Sequence, residues 1–402
     1  MFKKSNPFRL AVIACFTGNI SQAVVVNLTP VLFIPLKDQF GLSYTHFGLL
    51  ILVNFITQVI TDVAFSKTVE RYGFRPFILL SNLTTVAGFL LFAFTPFLFK
   101  SAPFIGFVIS TVIFSIGGGL LELLLSPIVD AVPSDGKEKP KEMALLHSAY
   151  AWGQVLVVLL TTIAVYSSLP FTVIVCIWSF MPLINFFMFF KAKLPPQKPQ
   201  EQVMRIRNLL KNRVFIFAFF AIFFGASAEL VMSQWSSSFM EKALLLPKIV
   251  GDMTGMFGFA LTMAVSRLLY GLFGDKISIK KIMIFGSSAA IVLYIVSALS
   301  SYTVLSVIAF ALTGICVSLL WPGTLVTASQ KLPLAGASMF ALLAAGGDIG
   351  AALGPAITGF MTDAFMKTNP EPFALRASIL LACIFPVLSL IFQLLLNKKN
   401  KL

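Results

Sequence analysis

The sequence predicts an all-α membrane protein of twelve spanning helices, and three observations carry that prediction. Of 402 residues, 58% are hydrophobic and only 11% charged, whereas soluble domains run at about one quarter charged. The apolar residues fall in blocks of about twenty or more, the length that crosses a bilayer as a helix. These blocks are too long and too uniformly apolar for barrel strands, and lipid admits no third spanning solution. The 42 phenylalanines exclude a chain left in water without a core.

The first block, 8–36, follows Lys3 and Lys4 and runs to Lys37. It exceeds a signal-peptide core and lacks a clear small-residue cleavage site, so it is expected to remain as a span. The second, 44–66, stops at Lys67; the third, 76–99, starts at Pro76 and stops at Lys100. The fourth, 103–129, precedes the basic stretch Lys137, Lys139 and Lys141, after which come 144–166 and 169–190. In the second half, 214–238 precedes Lys242, and 250–274 runs from just after Lys248 to Asp275 and Lys276. Then follow 282–300; 303–329, closed by Lys331; 335–361, before Lys367; and 374–396, before Lys398, Lys399 and Lys401.

With the N-terminus inside, most of the Lys and Arg fall in the inner segments. The outer ones hold only Lys37, Lys100, Lys242, Lys248, Lys367 and Arg376. This asymmetry places both termini in the cytoplasm of a cell-membrane protein. The net charge of +14 is therefore topology and lipid-headgroup contact, not a nucleic-acid footprint. Cys15, Cys176, Cys316 and Cys383 all lie inside predicted spans without metal-ligand spacing, so neither a disulfide nor a metal site is expected.

Residues 191–213 form the one long polar, strongly basic stretch. They divide the chain into 1–190, a linker with one short amphipathic piece, and 214–402. The halves echo each other. After the second span comes Glu70-Arg71-Tyr72-Gly73-Phe74-Arg75; after the eighth comes Gly271-Leu-Phe-Gly-Asp275-Lys276, then Lys280 and Lys281, at an offset of 205. Gly18 likewise aligns with Gly225, which sets Gln22 opposite Glu229. Such self-similarity indicates an internal duplication of a six-helix unit.

The acid-base-x-Gly-x-Arg turn after the second span, echoed by the acid and bases after the eighth, resembles the signature loop of the major facilitator superfamily, and the resemblance covers essentially the whole chain. It implies two pseudo-symmetric six-helix bundles, the major facilitator fold. It also implies gating at the inner loops by Glu70, Arg71, Gly73 and Arg75, and by Gly271, Asp275, Lys276 and Lys280, with Asp62 and Arg267 beside them. The first copy departs from the family pattern, having Ser66 and Glu70 where Gly and Asp are usual. A narrower resemblance is to the fucose/glucose permease branch. Gly117-Gly-Gly-Leu-Leu-Glu122-Leu-Leu-Leu-Ser126-Pro127 is similar to its fourth helix, and Gly225, Glu229 and Trp235 to its seventh. The branch's proton-coupling Asp in helix 1 is not matched; Asn19, Gln22 and Asn27 are the polar residues there.

Ionisable groups inside a bilayer cost about 3 kcal/mol or more each by insertion scales, so each asks for a reason. Glu122 shares a helical face with Ser115, Gly119 and Ser126, a polar stripe suited to a proton-carrying group; the alternative is a structural hydrogen bond or a pair with Arg267. Glu229 heads a similar stripe near midspan, with interhelical bonding as the alternative. Asp348, in Gly346-Gly-Asp-Ile-Gly350, fits coupling or binding as well as it fits support of a Gly/Pro bend. For Arg267 a structural pair with a nearby acid is favoured. Trp235 and Trp321 are candidates for stacking on a sugar face, with Asn19, Gln22 and Gln154 as hydroxyl partners; ring packing is the alternative. His46 is expected to be solvated.

Three deep acids face one deep base, so full ionisation would leave uncompensated negative charge. At least one acid is then neutral, or balanced by a bound cation, in part of the cycle. An anionic cargo would need a free base, and only Arg267 is available. The sequence accordingly predicts a secondary active transporter that moves a small neutral, sugar-like solute by alternating access, with H⁺ rather than Na⁺ in symport, and acts as a monomer. A proton-coupled drug or metabolite exporter is the alternative, disfavoured because the fifth span holds Gly153 but no Gly-Pro. An enzyme lacks its nucleophile–base pair or metal cluster here. No phosphate-binding GxxxxGK[ST] loop occurs, so neither ATP-driven pumping nor any cofactor is expected.

Overall fold

The structure is a computed structural model describing residues 7–133, 139–196, 206–273, 278–332 and 335–398. Among these residues, twelve helices are long and apolar enough to span a membrane: α1 (Arg9–Phe40), α2 (Tyr44–Phe65), α3 (Phe74–Leu98), α4 (Pro103–Val129), α5 (Leu145–Tyr166), α6 (Phe171–Lys191), α7 (Arg213–Ala243), α8 (Lys248–Tyr270), α9 (Ile279–Leu299), α10 (Thr303–Ala328), α11 (Leu342–Met366) and α12 (Glu371–Asn397). No strand occurs among the described residues.

Helix ends follow capping chemistry more closely than they follow charge. α1 passes Lys37 and ends at Gly41, whose φ of 64° closes the last turn by an N–H bond to the Lys37 carbonyl. α2 opens on a reciprocal cap: the His46 N–H donates to Ser43 Oγ and the Ser43 N–H donates to His46 Nδ1, both at 3.2 Å. His46 is thus half-buried and bound to the backbone, not the solvated side chain expected. The helix of α2 continues to Tyr72 and stops at Gly73, with φ 84°. α7 extends past the expected residue 238 through a π-helical turn, Phe239–Ala243, and α8 contains another at Asp252–Phe257. α11 outruns its expected end at 361 because its ladder continues to Met366.

Two compact units result. The first comprises 1–42 and 53–199; the second comprises 43–52 and 200–402. In the first, Asn185 of α6 donates to the Ala14 carbonyl and to Thr17 Oγ1 of α1, both at 2.7 Å. Arg75, opening α3, spends its guanidinium on the end of α6, with bonds to Phe190 O at 2.9 Å and Ala192 O at 2.6 Å. Those carbonyls have no partner within their own helix, and a cation suits the negative end of the dipole. In the second unit Arg376 does the same for α9, bonding the Ala298 and Ser300 carbonyls at 3.0 and 2.9 Å. Lys331, just past α10, donates to the Leu396 carbonyl of α12; burial, and after it the Lys280 charge, push its ammonium pKa down.

The second unit is organised by α11 lying tight on α7. Gly346, Gly350 and Gly354 face Phe219, Phe223 and Ser227 at successive turns, and Ser227 Oγ donates to the Gly350 carbonyl at 2.8 Å. A Cβ at position 350 would strike the Phe223 carbonyl, whereas one at Gly258 would make an ordinary 3.5 Å contact with Ala311. Gly350→Ala is therefore expected to cost about 2 kcal/mol and lower the thermal midpoint of the detergent-purified protein by about 4–8 °C. Gly258→Ala should leave it within a degree or so. Equal midpoints for the two variants would count against backbone contact between α7 and α11.

The same unit takes in the first turns of α2. Asp363 accepts the Tyr44 N–H at 3.2 Å and the Thr45 N–H at 2.6 Å, and Tyr44 Oη donates to Glu371 at 2.8 Å. Between these turns and α11 the Trp235 ring packs against Tyr44 and Phe47, with centroids at 5.5 and 5.2 Å.

Candidate functional site

In the first unit the polar groups gather where α1, α2 and α4 meet. α2 and α4 run parallel and close because Gly118 and Gly119 lack a Cβ: one at 119 would lie 2.9 Å from the Gln58 carbonyl, and one at 118 would lie 3.3 Å from Gln58 Oε1. Across this seam runs a hydrogen-bonded chain. Ser115 Oγ donates to Asn54 Oδ1 at 2.7 Å, and Gln58 Nε2 donates to the same oxygen at 2.8 Å. Gln22 Nε2 then donates to Gln58 Oε1 at 2.6 Å and reaches Glu122 Oε2 at 3.4 Å. Asn54 is held in turn by the Val25 carbonyl at 3.0 Å. Gln22, Asn54, Gln58 and Ser115 are buried, while Glu122 is exposed. Asp62 continues the α2 stripe one turn beyond Gln58, half-buried and within electrostatic reach of Glu122.

In the second unit the corresponding groups form an ion pair. Arg267 of α8 approaches Glu229 of α7 at 3.3 Å and donates through Nε to the Ser318 carbonyl at 3.0 Å. Both partners are largely buried, their side chains 21% and 11% exposed. The sequence favoured a structural pair with a nearby acid for Arg267, and Glu229 is the acid it meets. Asp348 is buried on α11, beside Gly347, whose bare Cα admits the Trp321 ring. Trp321 is half-buried.

Other sequence candidates have separate places. Asn19 is buried and directed at the Cys15 carbonyl of its own helix, at 3.5 Å, and Gln154 is buried on α5. Trp235 is wholly buried, its indole N–H on the Pro355 carbonyl at 3.3 Å, so in this conformation the ring is used in packing. Of the gating residues, Arg71 is exposed and lies over the Tyr72 ring at 5.2 Å, Gly73 is the helix stop, Arg75 caps α6, and Lys280 begins α9 half-buried. Asp275 and Lys276 lie outside the described residues, as does the side chain of Glu70, while Gly271 falls in the last turn of the helix that ends at Phe273. All four cysteines are free thiols. Sequence reasoning missed Asn54 and Gln58, although the spacing Asn54, Gln58, Asp62 marks one face of a helix.

The family pattern of the Major Facilitator Superfamily matches residues 13–251 and 247–401. No individually curated protein matches the chain by sequence. Among solved structures, a bacterial homologue of the human lysosomal transporter Spinster, inward-facing and occupied, is 16% identical with a TM-score of 0.78, over 98% of this chain and 97% of that one. The xylose transporter XylE from E. coli is 12% identical with a TM-score of 0.77, over 98% and 99%. The E. coli fucose:proton symporter FucP is 14% identical with a TM-score of 0.69, over 98% and 100%. At such identities the likeness speaks to the fold alone. The family match, together with twelve apolar helices in the expected order, makes this chain a member of the major facilitator superfamily: an integral membrane transporter, not an enzyme.

Proposed function

We propose that this transporter carries a small neutral polar solute, sugar-like in its hydroxyl chemistry, in symport with a cation, H⁺ rather than Na⁺. One observation carries the reading: Arg267, the base set deep in a span, is committed to Glu229 and to a backbone carbonyl. An anionic cargo would have to break that pair and leave Glu229 uncompensated. The buried amides Gln22, Asn54, Gln58 and Gln154 suit hydroxyl groups, and Glu122 and Asp62 supply negative charge for a coupling cation. The likeness to a xylose transporter and a fucose:proton symporter supports the same class. The inner-side excess of Lys and Arg supports a cytoplasmic-membrane location with both termini inside, and the protein works as a monomer by alternating access.

A thermal-shift screen of sugars, polyols, nucleosides, amines and drugs on detergent-purified protein is expected to return a polyhydroxylated neutral hit, because ligand binding raises apparent stability by mass action. The hit should then accumulate in proteoliposomes under an imposed pH gradient, while a dicarboxylate or sugar phosphate should not. Uptake of a sugar phosphate or dicarboxylate, or hits confined to hydrophobic amines, would overturn the reading.

A further inference from the structure

We propose that the end of the second unit where α9 starts and α10 and α12 stop binds one anionic phospholipid, its phosphate shared between Lys280 and Lys331 and its acyl chains laid along the exposed face of α9. The site involves none of Glu229, Arg267 and Asp348, and the inference stands whatever the cargo.

Packing brings the two lysines together. Ile279 and Met283, in the first turns of α9, meet Gly323 of α10, where a Cβ would strike both. The Cys383 thiol of α12 reaches the Ile291 carbonyl of α9 at 3.7 Å. Odd and even spans run oppositely, so counting along both helices from that contact brings Leu396 level with the start of α9. Lys331 Nζ donates to the Leu396 carbonyl, which uses one of its three N–H groups. Lys280 is half-buried, as Lys331 is, and stands near enough for its charge to add to burial in lowering the Lys331 pKa.

The two halves show why Lys280 is uncommitted. The offset of 205 lays Lys280 on Arg75 and Leu396 on Lys191. In the first unit Arg75 caps the end of α6. In the second, Lys331 has taken the end of α12, and Lys280 is left beside it. Among the described residues no carboxylate pairs with either lysine. Two ammoniums held together and half out of water repel each other, and a phosphate shared between them removes that cost. Lys281 and Lys398, both exposed, add to the field at the same level. Ser278 gives the first turn of α9 no side-chain cap, and a helix start suits an anion.

The chains follow from what lies beyond the lysines. Lys281, Phe285, Val292 and Leu299 share one face of α9, at spacings of four, seven and seven. Phe285, Val292 and Leu299 are 74%, 58% and 61% exposed. A base at the helix end, followed by an exposed apolar stripe, matches an amphiphile with a negative head better than it matches a free anion.

Native mass spectrometry of the full-length protein in detergent, titrated with palmitoyl-oleoyl phosphatidylglycerol, tests this. The parent should retain one molecule of that lipid more tightly than the corresponding choline lipid. Lys280→Gln, which breaks no bond to a described residue, should weaken retention about fivefold, and adding Lys281→Gln about fivefold again. Lys331→Gln should weaken it likewise, whereas Lys331→Arg, which keeps the charge, should not. Lys100→Gln removes an exposed charge beside the end of α3 and should change nothing. Equal retention in parent and Lys280→Gln, an equal loss in Lys100→Gln, or no preference over the choline lipid overturns the proposal. Displacement of the lipid by excess inorganic phosphate overturns it too, by assigning the lysines to a free anion. No cargo enters these measurements, so their failure leaves the transport reading standing.

Discussion

Glu122→Gln protein in proteoliposomes is expected to exchange cargo across the membrane at close to the parental rate, yet to lose accumulation driven by a pH gradient by tenfold or more. The amide keeps the size of the side chain and can still meet Gln22 Nε2, now 3.4 Å from Glu122 Oε2, through its carbonyl oxygen. What it lacks is a proton to gain and lose. Exchange needs no net proton movement, whereas uphill uptake does, so the two assays separate coupling from binding. Glu122→Gln protein that accumulates cargo as well as the parent would return the residue to a packing role and move coupling to Glu229 or Asp348.

The second large effect concerns the ion pair. Arg267→Met should destabilise the protein by about 3 kcal/mol, because it leaves the largely buried Glu229 without its partner and frees the Ser318 carbonyl. Adding Glu229→Gln to that variant should recover most of the loss, since the cost lies in the uncompensated charge rather than in missing attraction. Thermal midpoints of the two single variants and the double one form a cycle in which neighbours couple and distant sites add. Strict additivity would show that the two side chains do not depend on each other.

Spans were legible because hydrophobic length is a property of contiguous residues, and the deep acids stood out because lipid makes each one costly. Partners were not legible. Glu229 finds Arg267 from 38 residues away and Gln22 finds Glu122 from 100, distances that only helix packing can close. Trp235 shows the same difficulty from the other side: an aromatic six residues beyond an acid reads equally as a stacking platform or a core ring, and its neighbours Tyr44 and Phe47 lie on a helix far back in the chain. The extra turn of α1 could have been read from Gly41, a helix stop that outweighs Lys37.

The capped start of α2 bears on how this protein can be recombined. A crossover in the 191–213 linker looks natural by sequence, but it would graft a foreign Tyr44 and Phe47 onto resident Trp235, Asp363 and Glu371. Chimeras joined there are expected to mature poorly unless the donor carries the same side chains. Hybrids in which residues 43–52 travel with 200–402 keep the ring packing and the carboxylate caps of one parent intact.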